Sequence, residues 1–238
     1  MIYQYAYNIH SISGFQEISD LLAFISKERR DKISRFRFDA DKIRSLFAEI
    51  VFRYALWEKY AIRDFRILNT EYGKPYLKDH KDIFFNVSHS GDWVVCALGD
   101  RSLGIDVEKM EEIEISVADE YFAKEEIAYL HMLPEAERQA AFYSLWTLKE
   151  SYTKNVGMGM SIPLNSFSFR LKPEQICLFV DGKQNTRFFF QTCDLDAHHK
   201  MALCVSGEEE TNHRTGITFL TRSDIDRWKE SFSQMESK

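Results

Sequence analysis

Two stretches decide how this chain folds: FFNVSHSGDWVVCAL (Phe84–Leu98) and FFFQTCDLDAHHKMALCV (Phe188–Val205). Each opens on phenylalanines, passes through a polar centre and ends in a small apolar run. The first reads as a β-hairpin, strand, Ser-His-Ser-Gly-Asp turn, strand. The second reads as two strands in the same style. Before each lies a long amphipathic segment containing a Trp and a Lys, and then a Gly/Pro turn. The likeness is one of pattern rather than identity. It predicts an α/β (α+β) fold of two similar halves, residues 1–103 and 104–238, related as by an internal duplication. No Gly/Ser-rich linker separates them, so the halves are expected to pack closely.

Working outward, MIYQYAYNI alternates as a strand does, and FQEISDLLAFISKERRDKISRF carries apolar residues at helical spacing. In ADKIRSLFAEIVFRYALWEKY, the residues Leu46, Phe47, Ile50, Val51 and Tyr54 make an apolar stripe suited to core packing. TEYGKPYL is a turn, with Gly73 and Pro75 as breakers. LGIDVEK is a further strand, and DEYFAKEEIAYLHML is helical. PEAERQAAFYSLWTLKESYTKNVG is a long helix, with Pro134 suited to its start and Gly157 to its end. From Gly207 the chain becomes a polar tail with one amphipathic piece, RSDIDRWKESF.

The 238 residues are 45% hydrophobic and 29% charged, an ordinary globular mix. The formal net charge of -6 argues against a general nucleic-acid binder. The N-terminus has no signal-peptide pattern, and no apolar run approaches the roughly 20 residues of a membrane span. A soluble cytoplasmic protein is therefore expected. Cys96, Cys177, Cys193 and Cys204 form no CxxC pair, which speaks for small buried side chains rather than a zinc site or disulfides.

Several polar groups could carry chemistry. Asp106 and Glu108, two apart on a strand, project from one face. They either solvate an edge strand or hold a hard cation such as Mg²⁺. Trp146, Glu150 and Lys154 fall on one helix face, where Glu150 and Lys154 form either a surface ion pair or part of a site. Ser88 and His89 either hold an anion or satisfy their own turn. Arg29, Lys32 and Arg44 are either solvated or a phosphate clamp. Carboxylates beside cations fit Mg²⁺–phosphate chemistry better than ester or peptide hydrolysis.

The segments GIDVEK (104–109) and FYSLWTLKESYTKNVGMGM (142–160), supported by EYGKPYL and NVSHSGDWVVCAL, resemble the large, Sfp-type 4′-phosphopantetheinyl transferases. The resemblance runs from about Ser26 to Val205. It implies transfer of phosphopantetheine from coenzyme A to a serine of an apo acyl or peptidyl carrier protein, such as those of peptide and polyketide synthases, with release of 3′,5′-ADP. It implies a fold with coenzyme A between two halves of a monomer. Matched by motif, Asp106, Glu108 and Glu150 look like Mg²⁺ ligands, and Glu150 also like the base for the carrier serine. Lys154 would neutralise charge on the phosphates. Ser88 and His89 would hold coenzyme A phosphates, Lys74 and Pro75 would border the adenine, and Arg29, Lys32 and Arg44 would hold the 3′-phosphate region. Arg29 stands where the family carries a lysine. MEEIEISVADEYFAKEE matches the family segment that meets the carrier. The rival readings are a Mg²⁺-dependent nucleotide or pyrophosphate hydrolase and a non-catalytic coenzyme A-binding protein.

Overall fold

The alternation of IYQYAYN becomes strand β1 (Ile2–Asn8) in the computed structural model, which describes residues 1–172, 175–207 and 216–233. The chain then runs through a 3₁₀ segment, Phe15–Phe24, and helix α1 (Lys27–Ile33) into the long helix α2 (Asp39–Tyr60). A single helical segment was expected across 15–36. It breaks at extended Ile25 and Ser26, where the Ser26 hydroxyl caps α1 by accepting the Arg29 N–H. Strands β2 (Ile67–Asn69) and β3 (Pro75–Leu77) form a small pair, and β4 (Phe84–Ser90) and β5 (Trp93–Gly99) form the hairpin.

The order then repeats. Strand β6 (Leu103–Lys109) leads to helices α3 (Ala118–Tyr121), α4 (Lys124–Met132) and α5 (Glu135–Val156). A small sheet follows, β7 (Phe167–Lys172), β8 (Gln175–Val180) and β9 (Lys183–Asn185), and then the hairpin β10 (Phe188–Asp196) and β11 (His199–Ser206). In each unit the second hairpin strand pairs antiparallel with the unit's opening strand, giving β1-β5-β4 and β6-β11-β10. In each, a 22-residue helix packs on that sheet and ends at a left-handed residue, Ala61 (φ 54°) or Gly157 (φ 78°). The shared order, down to the small sheet inserted before each hairpin, is what a duplicated sequence pattern would build.

Each unit has its own core, and a third apolar cluster joins them. Ala6, Val95 and Ala97 of the first sheet meet Ile105, Val107 and Leu203 of the second. The tail departs from expectation. Residues past 207 were expected with the second half, but β12 (Ile217–Leu220) runs parallel to β1, at the edge of the first sheet. Helix α6 (Arg222–Ser233) then buries Ile225 and Trp228 fully in the first unit's core, with Trp228 against Phe24. The amphipathic stripe on RSDIDRWKESF needed a partner, and the first unit's core, with Phe24 of the 3₁₀ segment, supplies it, while β12 covers the edge of β1.

Candidate active site

Gly104 brings the second unit's strand and helix together. A Cβ there would lie 2.2 Å from the Ser151 carbonyl oxygen and 2.4 Å from the Asn155 nitrogen, so only glycine lets β6 lie this close to α5. Alternation then aims Asp106 and Glu108 toward the same helix. Lys154 of α5 donates to Asp106 Oδ1 at 2.6 Å and to Ser88 Oγ at 3.0 Å. The Ser88 hydroxyl in turn donates to Asp106 Oδ1 at 2.9 Å. Of the two readings open for Glu150 and Lys154, the plain surface ion pair is not the one seen: the lysine's direct carboxylate partner is Asp106.

Ser88 and His89 were placed in a turn. They lie in strand β4, and the turn is Gly91–Asp92. The reason for the misplacement is physical. Asn86, Ser88 and Ser90 share one face of β4, and that face meets the edge of β6 not paired with β11. Asn86 Oδ1 accepts the Ile105 N–H at 2.8 Å, and Ser90 Oγ accepts the Lys109 N–H at 3.1 Å while donating to Glu108 at 2.7 Å. Polar residues that satisfy a strand edge look like loop residues in a linear sequence. Asn86 and Ser90 are site residues that sequence reading missed. Their signal was the alternation Asn-x-Ser-x-Ser inside an apolar hairpin.

His89 points to the other side of β4, toward α1 and α2. His89 stays exposed overall; partial loss of solvent, then the charges of Arg44, Lys154 and Lys32, hold its imidazole below the ordinary range. Strand β4 therefore divides two zones, acids on the β6 side and cations on the α2 side, with Lys154 at the border. Arg44 is half-buried, with Nη1 on the Gly91 carbonyl at 3.2 Å and Nη2 on Asp41 at 2.7 Å. Lys32 is exposed. Arg29 is drawn inward instead. Its guanidinium donates to Glu49 and Ser45, both at 3.4 Å, and buried Glu49 also binds Ser26 and Arg53. Lys74 is committed elsewhere as well. Its amine donates to the Asn155 carbonyl (2.6 Å), Ser102 Oγ (3.1 Å) and the Leu103 carbonyl (3.3 Å). Burial lowers it to about 8, and it ties the Gly73–Pro75 turn to the end of α5, where a cation suits the helix dipole.

The three acids resist ionisation. Burial and the neighbouring Asp106 charge push Glu108 up to about 7, and burial and Asp106 likewise raise Glu150. Burial raises Asp106, opposed by Lys154 and Ser88. As they stand, the described residues do not close a coordination sphere of three such ligands. One feature favours a cation near them: Asp106 Oδ2 is buried with no hydrogen-bond partner, and the Asp106 charge acts on both Glu108 and Glu150. A linkage consequence follows. Glu108 folds with a value of about 7 against an ordinary 4.5, so between these the folded state binds more protons than the unfolded one. Stability of the cation-free protein should therefore fall as pH rises from about 4.5 to about 7. Thermal unfolding across this window checks it. Glu108→Gln should flatten the slope, and an unchanged slope would contradict the assignment.

A buried pair supports this site from behind. Lys149, next to Glu150 in sequence, is fully buried and bonds Glu126 at 2.7 Å and the Leu164 and Phe167 carbonyls at 2.8 Å each. Glu126 also accepts the Ala123 and Phe169 N–H groups at 2.9 and 2.8 Å. Nothing in the local spacing signals this pair, because its members lie on different helices.

Residues 102–204 match the 4′-phosphopantetheinyl transferase superfamily, and residues 14–100 match the N-terminal 4′-phosphopantetheinyl transferase family. The chain is 36% identical over 206 residues to 4′-phosphopantetheinyl transferase Sfp of Bacillus subtilis (strain 168), covering 86% of this chain and 92% of that protein. It is 35% identical, with the same coverage, to 4′-phosphopantetheinyl transferase ffp of Bacillus subtilis. To the mouse L-aminoadipate-semialdehyde dehydrogenase-phosphopantetheinyl transferase it is 27% identical over 80% of this chain and 70% of that one. The chain belongs to the 4′-phosphopantetheinyl transferase family and is a transferase.

Proposed function

We propose that the protein transfers the 4′-phosphopantetheine of coenzyme A to a serine hydroxyl of an apo acyl or peptidyl carrier protein, releasing 3′,5′-ADP. The observation that carries this reading is the Asp106–Lys154–Ser88 junction. It sets a set of buried carboxylates beside a set of cations, as a cation-bound pyrophosphate requires.

Asp106, Glu108 and Glu150 would hold Mg²⁺, which when bound neutralises pyrophosphate charge. The remaining work falls to the protein's own groups. Glu150 is half-buried, and burial and the Asp106 charge raise it above the ordinary carboxylate range, which makes it a stronger base for the proton of the carrier serine. Lys154 commits two N–H groups to Asp106 and Ser88, and its side chain stays 28% exposed, so a third N–H can meet charge growing on the leaving phosphate. His89, Lys32 and Arg44 would receive the other phosphates. The Gly73–Pro75 turn, anchored through the Lys74 amine, would present its backbone and Pro75 to the adenine. Arg29, bound to Glu49, would shape the α1 end of this pocket.

Arg44→Ala tests the placement of the nucleotide. With transfer to an apo carrier domain as the readout, the KM for coenzyme A should rise about tenfold or more, the scale of a charge-assisted contact. That for dephospho-coenzyme A should change less than about twofold by the same reasoning. Equal rises would remove Arg44 from the 3′-phosphate.

A further inference from the structure

The Gly91–Asp92 turn of the first unit is seated on a histidine of the second. His199 is 3% exposed. Its Nδ1 faces Asp196, at 2.9 Å from Oδ1 and 3.1 Å from Oδ2, and its Nε2 lies 3.4 Å from the Asp92 backbone nitrogen. A carboxylate on one side and an N–H donor on the other fix the ring's roles: Nδ1 carries the proton and Nε2 accepts. Asp196 is itself held by the Trp93 indole N–H at 2.7 Å and the His198 N–H at 2.7 Å. Gly91 is at φ +52°, and a Cβ there would come within 2.4 Å of His199 Nε2 and 2.8 Å of Lys109 Cδ. The turn thus lies against the ring and the Lys109 side chain, with no room for a side chain between them.

The turn has other partners as well: the Asp92 carbonyl accepts the Ile9 N–H at 2.8 Å, and the Asp92 carboxylate lies 3.0 Å from His10 Nδ1. The Gly91 carbonyl accepts the Arg44 guanidinium. A continuous chain therefore runs Asp196–His199–Asp92/Gly91–Arg44, from the second unit's hairpin to the first unit's cation zone. We propose that His199 is a positioning residue that fixes Arg44 for phosphate binding by holding the Gly91–Asp92 turn. It touches no substrate and acts through the turn. The proposal rests on the coenzyme A reading above, and predicts that His199 affects nucleotide affinity selectively at the group Arg44 holds.

Calorimetry with coenzyme A and dephospho-coenzyme A tests it, using wild type, His199→Phe, Arg44→Ala and the double variant. His199→Phe keeps the ring's bulk and removes the acceptor. It should weaken coenzyme A about fivefold to tenfold, the scale of one hydrogen-bonded contact, and dephospho-coenzyme A less than about twofold. In the Arg44→Ala background the same change should add less than about twofold, since the two share one pathway. Equal loss on both nucleotides, or full additivity, overturns the proposal in favour of a merely structural histidine. A wild-type protein that binds coenzyme A no better than His199→Phe does sinks this proposal alone. A wild-type protein that binds no coenzyme A sinks the functional reading with it. If His199→Phe fails to fold, nitrogen NMR of the wild-type ring decides: a proton on Nδ1 and none on Nε2 supports the chain, and a proton on Nε2 breaks it.

Discussion

Asp106→Asn should lower phosphopantetheine transfer by about a thousandfold or more, the scale expected when a metal ligand or charge-stabilising group is lost from phosphoryl transfer. It should do so without loss of heat stability. Asp106 is 2% exposed, its ionisation is opposed by burial, and its Oδ2 lacks a hydrogen-bond partner. Asparagine keeps the shape and an acceptor for Ser88 and Lys154 while removing a buried charge among like charges. Lys154 keeps solvent and Ser88, so no buried cation is stranded. Mg²⁺ should raise the melting temperature of wild type and leave Asp106→Asn unmoved, because only a species that binds the folded state stabilises it. Activity measured beside thermal unfolding checks both halves. Near-normal turnover, or collapse of the fold, would show that this carboxylate has another role.

Lys149→Met should produce the opposite pattern, a loss of stability first. Removing one partner of a fully buried ion pair leaves the other charge unpaired, which costs about 3–5 kcal/mol. Glu126 would retain two backbone N–H donors but lose its only cation within bonding distance among the described residues. For a chain of this size that corresponds to a drop of roughly 6–20 °C in melting temperature. Replacing both, as Lys149→Met with Glu126→Met, should recover part of the loss, since two apolar side chains can fill the space of a buried pair. Thermal or urea unfolding of the two single variants and the double checks this. A single variant that loses under about 1 kcal/mol, the range of a solvent-exposed pair, would contradict the burial that the pair shows here.

The site was legible where one element carried its own signal. GIDVEK gave two acids at strand spacing, and both lie on β6 facing α5. WTLKESYTK gave Glu150 and Lys154 on one helix face, and both lie near Asp106. The long helices were legible from their apolar stripes and end residues. What stayed hidden depends on contacts between distant segments. Ser88 looked like a turn residue because its partner edge is β6, another strand. Lys74 says little by itself and is set beside the adenine only by the family resemblance; the acceptors of its amine, Asn155, Ser102 and Leu103, lie far along the chain. The buried Lys149–Glu126 pair and the seat of His199 join elements with no common periodicity. The tail looked polar because the strand it pairs with opens the chain, some 210 residues earlier by the register of Gln4 with Ile217.

The most direct test of the central claim is the mass of an apo carrier domain after incubation with the protein, coenzyme A and Mg²⁺. The carrier should gain one phosphopantetheine, with 3′,5′-ADP released in equal amount. Release of 3′,5′-ADP with no gain in carrier mass would contradict transfer and assign these same carboxylates to hydrolysis.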